Sequence, residues 1–167
     1  AVLAIYKDSG KNEGLYVRNE REFSNIARSL NPELSSKDAQ EVIALLRDKA
    51  PYKTPCNDKD LVAVNNGIFD YKTKKLMPFD PEFIFTAKSD VNYNPFAQNI
   101  VIHNEKDGTD WDVESWIDEL TDDEGIRKLL WQIIGAVVRP NVPWNKSAWF
   151  YSTKGNNGKG TFCELLR

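Results

Sequence analysis

The residues best suited to chemistry lie in the stretch Ser152–Arg167, which reads STKGNNGKGTFCELLR. This stretch places several glycines, a lysine and a hydroxyl residue at the start of a helix-forming segment. Glycines let the backbone curl so that successive N–H groups point at one spot, and the first turn of the helix adds its positive dipole there. Lys159 would add a full positive charge. The combination predicts a loop that binds phosphate groups.

The loop departs from the standard pattern G-x-x-x-x-G-K-[ST] at two positions. Thr153 stands where the first glycine belongs, and Gly160 stands where the hydroxyl residue belongs, so that Thr161 comes one residue late. The structural alternative is a surface turn rich in glycine and asparagine. In the phosphate-binding interpretation, Lys159 is the candidate catalytic residue at the β and γ phosphates of ATP, and Thr161 assists at Mg²⁺. The predicted nucleotide-binding residues are Gly155, Asn156, Asn157, Gly158, Lys159, Gly160 and Thr161.

Such a loop needs a strand before it and packed helices near it. The segment SAWFYS, residues 147–152, predicts a buried strand that leads into the loop. Upstream, a helix capped by Asp110 or Asp112 is predicted, followed by a second helix from about Asp122 to Pro140. The apolar positions of the first helix are Val113, Trp116, Ile117 and Leu120, at spacings that place them on one face.

The N-terminal part of the chain predicts a hairpin, two helices and a meandering set of strands. Residues 2–6 and 15–17 flank a turn-rich segment, which indicates a hairpin. Asn19 and Ser35 are the predicted N-caps of two helices, with acidic residues at capping-box spacing. The three strands predicted next cover residues 61–64, 68–71 and 76–79, with the turn signal NNG between the first two.

Composition bounds the remaining possibilities. The 167 residues are 41% hydrophobic and 28% charged, with a formal net charge of −3. This balance favours a globular chain and disfavours a strongly basic protein that coats nucleic acid. Cys56, Cys163 and His103 form no pattern typical of a disulfide framework or a zinc site. With no signal peptide and no membrane span in the sequence, we expect a soluble, intracellular protein.

Three further groups of residues have both a functional and a structural interpretation. Trp116 and Trp149 are suited to base stacking, but we expect both in the core. The lysines at 72, 74 and 75 lie at a predicted hairpin tip, which either touches phosphates or is an ordinary solvated turn. The acidic stretch 107–124 is expected to be a solvated face, and His103 an ordinary histidine.

The segment KGNNGKGTF resembles the Walker A segment of a subgroup of superfamily 3 helicases, the phage, plasmid and poxvirus-type primase–helicases. Gly155 and residues 157–162 match its usual pattern, whereas Thr153 departs at the leading glycine. Upstream, VNNGIFDYKTKKLMPFDPEFIFTAKSDVNYNP and WIDELTDDEGIRKLLWQIIGAVV resemble the stretches that precede the helicase in this family. The resemblance covers roughly residues 13–167.

The resemblance implies an α+β chain, in which about four helices and a small antiparallel sheet with hairpins precede the start of an α/β AAA+-like ATPase domain. Residues 1–144 would be an accessory domain between primase and helicase, and residues 145–167 the truncated start of the motor, with its strand and P-loop. The implied function is ATP-dependent DNA unwinding in the cytoplasm of a bacterial host. The implied partners are DNA, a primase, and further copies of the protein in a ring, commonly a hexamer.

Two other functions stay open. One is a non-enzymatic module that binds DNA or replication partners, with the loop a remnant. The other is a different P-loop enzyme, such as a small-molecule kinase. Acidic and sensor residues of the motor would discriminate between them, and the resemblance places these beyond Arg167.

Overall fold

The computed structural model describes residues 2–153 and 155–167. These residues form an α+β structure with small antiparallel sheets, as predicted. The strands are β1 (Ile5–Tyr6), β2 (Tyr16–Val17), β3 (Leu61–Val64), β4 (Gly67–Asp70), β5 (Lys75–Met77), β6 (Ile102–Asn104) and β7 (Thr109–Trp111). The helices are α1 (Glu20–Leu30), α2 (Ser36–Lys49), α3 (Val113–Glu119), α4 (Glu124–Val137) and α5 (Lys159–Leu165).

The chain divides into two compact units, Ala1–Tyr93 and Asn94–Arg167. The first unit contains β1 to β5 with α1 and α2, and the second contains β6, β7 and the other three helices. The boundary predicted near residue 144 separates an accessory domain from the start of a motor domain, and it stays a prediction.

The helices of the first unit begin where the sequence predicts. Asn19 accepts a hydrogen bond from the Glu22 N–H, which caps α1. Ser35 and Asp38 form a reciprocal capping box at the start of α2, each side chain accepting from the backbone N–H of the other residue. Both caps satisfy N–H groups that lack a partner inside the helix. Short polar residues at the right spacing therefore fixed both helix starts.

Strands β3, β4 and β5 form a three-stranded antiparallel meander. Asn65 and Asn66 make the turn between β3 and β4, and Gly67, with φ at +151°, closes it opposite Val64. The segment after β5 lies alongside: the Ser89 N–H donates to the Ala63 carbonyl. The core of this unit is formed by Leu15, Leu61, Ala63, Ile68 and Phe85.

The second unit opens with a hairpin, β6 and β7, that the sequence interpretation missed. Its turn contains Asp107 and Gly108, and Gly108 has φ at +70°. An Asp-Gly pair between short strands is a hairpin signal, so the information was present. The strands themselves are short and exposed, and they lack the alternation that marks a half-buried strand.

Helix α3 follows directly, and Asp112 caps it by accepting from the Ser115 N–H while the Ser115 hydroxyl accepts from the Asp112 N–H. Helix α4 has Asp123 as its N-cap and ends before Pro140. The core of the second unit contains Ile117, Leu130 and Phe162. Three apolar residues of α4 lie outside this core, since Ile126, Leu129 and Val137 are about half exposed.

The predicted buried strand at 147–152 is wrong. These residues have no strand structure, and every strand within the described residues pairs inside its own hairpin or meander. Trp149 is 91% exposed, so its predicted place in the core is also wrong. Phe150 packs inward onto Phe162, and successive side chains of an extended segment point to opposite sides, which turns Trp149 and Tyr151 outward.

The described residues contain neither a membrane-spanning helix nor a cluster of metal ligands. No helix formed by residues 2–153 and 155–167 is long and apolar enough to cross a membrane. The same residues contain no group of three or more histidine, cysteine, aspartate or glutamate side chains placed to hold a metal ion.

Candidate phosphate-binding loop

The glycine-rich segment forms a loop that turns directly into helix α5. Lys159 is the first residue of the helix, and Gly158 is its N-cap, with φ at +78° and ψ at −7°. Asn156 also has a positive φ, +55°. Positive φ values at two nearby positions curl the backbone tightly, and asparagine and glycine are the residues that adopt them most readily. The predicted order of loop and helix is therefore present in the structure.

Gly158 rests on the C-terminal end of α3. A Cβ atom added at Gly158 would lie 2.4 Å from Leu120 Cδ2 and 3.8 Å from Trp116 Cζ2. Only a residue without a side chain can approach Leu120 this closely. Leu120 is a residue that sequence reasoning placed on the α3 stripe without relating it to the loop. Leu120 therefore packs under the curled backbone of the loop and supports it.

Phe162 anchors the other end of the loop. It is 1% exposed and packs in the core cluster with Ile117 and Leu130. Its ring lies 6.5 Å from that of Trp116, stacked, and 5.4 Å from that of Phe150. Trp116 is half-buried against the same cluster, which agrees with its predicted core role. The first turn of α5 is thereby fixed to α3 and α4.

The side chain of Lys159 folds back over its own loop. Its ammonium group donates a hydrogen bond to Asn157 Oδ1 over 2.6 Å. The residue is half-buried, so the charge is held at the mouth of the loop. Within the described residues, no side chain caps α5. The N–H groups of its first turn have no partner inside the helix, as at every helix start.

The open side of the loop is formed by the other glycines. A Cβ added at Gly155 or at Gly160 would meet no atom of the described chain within 4 Å. Thr161 is exposed next to Gly160 in the first turn of α5. Lys159 and Thr161 therefore both stand in the first turn of α5, next to a glycine with open space around it. Backbone N–H groups and an ammonium group are donors that fit an anionic phosphate group, and a hydroxyl oxygen is a ligand that Mg²⁺ accepts.

A groove of about 1000 Å³ runs beside the loop within the second unit. Lys159 and Asn157 line it, and apolar side chains form most of its walls. The aromatic wall residues are Trp144, Trp149, Phe150, Tyr151 and Phe162. Of the seven predicted loop residues, Asn157, Gly158 and Lys159 line this groove.

The other candidate residues of the sequence lie elsewhere. His103 faces Asp110 across the β6–β7 hairpin, with Nδ1 and Oδ1 2.6 Å apart, and both side chains are exposed. This agrees with an ordinary surface histidine. Cys56 and Cys163 are both free thiols. The three lysines of the predicted hairpin tip lie in and next to the β4–β5 turn, as predicted.

A family model described as D5 N terminal like matches residues 4–122. The chain belongs to this family. The family is the N-terminal domain of D5-like primase–helicase proteins, so the chain comes from a replication protein of the primase–helicase type. The match ends before the loop at 155–161. No curated protein matches the chain.

Proposed function

We propose that this chain is part of a replicative primase–helicase of a phage or other mobile element, and that the protein unwinds DNA with energy from ATP. The observation that carries the proposal is the loop itself. Lys159 begins a helix directly after the left-handed Gly158, in a chain that belongs to a primase–helicase family. In this proposal the superfamily 3 motor begins with residues 145–167, and residues 1–144 form the accessory domain that links primase to motor.

The loop residues have distinct roles in binding. The backbone N–H groups of residues 155–160 surround the phosphates, and Lys159 exchanges its hydrogen bond with Asn157 for one with the β and γ phosphate oxygens. Thr161, exposed in the first turn of α5, would supply a hydroxyl to the shell of Mg²⁺. The adjoining groove has room for the nucleoside against its apolar wall. ATP, when bound, supplies the free energy of γ-phosphate hydrolysis.

The accessory domain contributes by assembly. In the proposal it holds the primase at one side of the motor and helps several copies form a ring, commonly a hexamer. Measurement of the mass in solution tests the number of copies. DNA passes through that ring and contacts the complete motor. The host cytoplasm is the compartment in which such a protein replicates the DNA of its element.

The test uses the full-length protein that contains these residues, assayed for ATP hydrolysis with and without single-stranded DNA. Lys159→Ala removes the charge at the phosphates, and we expect it to reduce DNA-stimulated turnover at least 100-fold, as loss of an electrostatic contact in a transition state does. Lys128→Ala is the matched control, because Lys128 is an exposed lysine on α4. We expect the control to keep the wild-type rate.

Three results would contradict the proposal. Turnover that persists in Lys159→Ala would remove the loop from catalysis. Absence of turnover in the wild-type protein, together with DNA binding that needs no nucleotide, would favour the non-enzymatic replication module with a remnant loop. Turnover that DNA leaves unchanged would favour a different P-loop enzyme.

A further inference from the structure

The turn between β4 and β5 concentrates positive charge on a chain that is acidic overall. Residues 70–75 contain three lysines and one aspartate, a formal charge of +2, whereas the whole chain carries −3. Lys72, Lys74 and Lys75 are all exposed. Within residues 2–153 and 155–167, no carboxylate forms an ion pair with any of the three ammonium groups at 4.0 Å or less. This charge is therefore available to an external anion.

The turn is held in one conformation by its own hydrogen bonds. Asp70 Oδ1 accepts from the N–H groups of Lys72 and Thr73, at 2.8 and 3.3 Å, and Asp70 Oδ2 accepts from the Thr73 hydroxyl at 2.7 Å. The Lys74 N–H donates to the Asp70 carbonyl over 2.8 Å. Both carboxylate oxygens of Asp70 are thus used inside the turn. The aspartate organises the lysines instead of pairing with their ammonium groups.

Packing under the turn adds to this rigidity. Lys74 has φ at +59°, a conformation that costs free energy for a residue with a side chain and persists only where its surroundings hold it. Its ammonium group lies 5.0 Å from the centre of the Tyr71 ring. Phe69 joins Tyr71 to Tyr93, with ring centres 4.9 and 4.4 Å away. The turn between β4 and β5 therefore packs on an aromatic cluster of the first unit.

We infer that this basic turn, residues 71–75, is a contact site for the phosphodiester backbone of DNA. Phosphate contacts need positive charge presented on a fixed frame and carry no information about base sequence. DNA is the polyanion that a replication protein of this family meets. The inference goes beyond the proposed motor, because it places a DNA contact in the first unit and requires no nucleotide.

The experiment measures binding of the full chain to a fluorescent 30-nucleotide single strand without ATP, over a series of salt concentrations. The test variant carries Lys72→Gln, Lys74→Gln and Lys75→Gln. We expect its affinity to fall about tenfold at low salt, and the slope of log K against log salt to decrease by about 2, as expected for three lost phosphate contacts on a single strand.

The control variant carries Lys11→Gln, Lys37→Gln and Lys128→Gln, which removes the same charge from three exposed lysines elsewhere. Circular dichroism checks that both variants fold. Equal weakening of DNA binding in the test and control variants would overturn the inference. Absence of DNA binding by the wild type would do the same. Stronger displacement by polyglutamate than by unlabelled DNA would show an acidic-protein site instead. The assay contains no ATP, so its result is separate from that of the proposed motor, which the measurement of ATP hydrolysis tests.

Discussion

At the scale of single residues, the candidate loop depends on backbone conformation more than on its charged side chain. Gly158 occupies a left-handed conformation, and a Cβ added to it would overlap Leu120. Gly160, two residues later, is helical and surrounded by open space. The two positions hold the same residue type but have different structural roles. The difference appears only once α3 is seen to lie under the loop.

Gly158→Ala is therefore expected to destabilise the protein by about 1–3 kcal/mol, because the new methyl group overlaps Leu120 and the positive φ is strained. Urea unfolding followed by circular dichroism measures the change. Gly160→Ala is the matched control, and we expect it to be neutral or to add up to about 1 kcal/mol, since alanine restricts the unfolded chain. Equal loss in both variants would show that Leu120 does not support the loop.

At the scale of elements, the sequence predicted helix starts better than strands. Asn19, Ser35 and Asp112 act within three residues of themselves, so local spacing suffices to recognise them. A strand instead requires a partner strand outside its own residues. The segment 147–152 has the composition of a buried strand, but the described residues pair no strand with it. Residue types alone could not reveal that.

The same argument explains what could be predicted of the candidate site. Lys159, the glycines and the start of α5 are local features, and the sequence placed them together. The contact with Leu120 and the hydrogen bond from Lys159 to Asn157 depend on packing and side-chain conformation, so no spacing rule indicated them. The sequence also could not distinguish Trp116, packed on Phe162, from the exposed Trp149.

The N-cap of α3 should make the stability of the protein depend on pH. The hydrogen bond that the Ser115 N–H donates to the carboxylate is the largest cause that holds the pKa of Asp112 below its ordinary value of 3.8. A carboxyl whose pKa is lowered by folding stabilises the native state above its unfolded pKa. That contribution is lost as the pH falls through the lower, folded value.

Asp112→Ala should lower the urea midpoint at pH 7, because α3 loses the acceptor for its Ser115 N–H. Asp112→Asn should keep most of the cap, because its amide oxygen also accepts. The difference in the free energy of unfolding between wild type and Asp112→Asn should shrink as the pH is lowered below 3.8. Urea titrations at several pH values measure this difference. A difference that grows on acidification would have the wrong sign for a lowered pKa.

At the scale of the whole molecule, the two units have separate cores. Ile68 is fully buried in the first, with Leu61 and Phe85, and Ile117 is fully buried in the second, with Leu130 and Phe162. The family match spans the first unit and the start of the second, whereas the candidate loop belongs to the second alone. The stability of the loop should therefore follow the core around Ile117.

Ile68→Ala and Ile117→Ala form a matched pair, since each removes the same atoms from a fully buried site. Each is expected to cost about 2–5 kcal/mol in its own unit. Hydrogen exchange followed by mass spectrometry reports each unit separately. Ile68→Ala should increase exchange in β3 to β5, and Ile117→Ala should increase it in α3 to α5, where Phe162 anchors the loop. Faster exchange throughout the chain from either change would mean that both cores unfold as one cooperative structure. The loop would then depend on the first core as much as on the second.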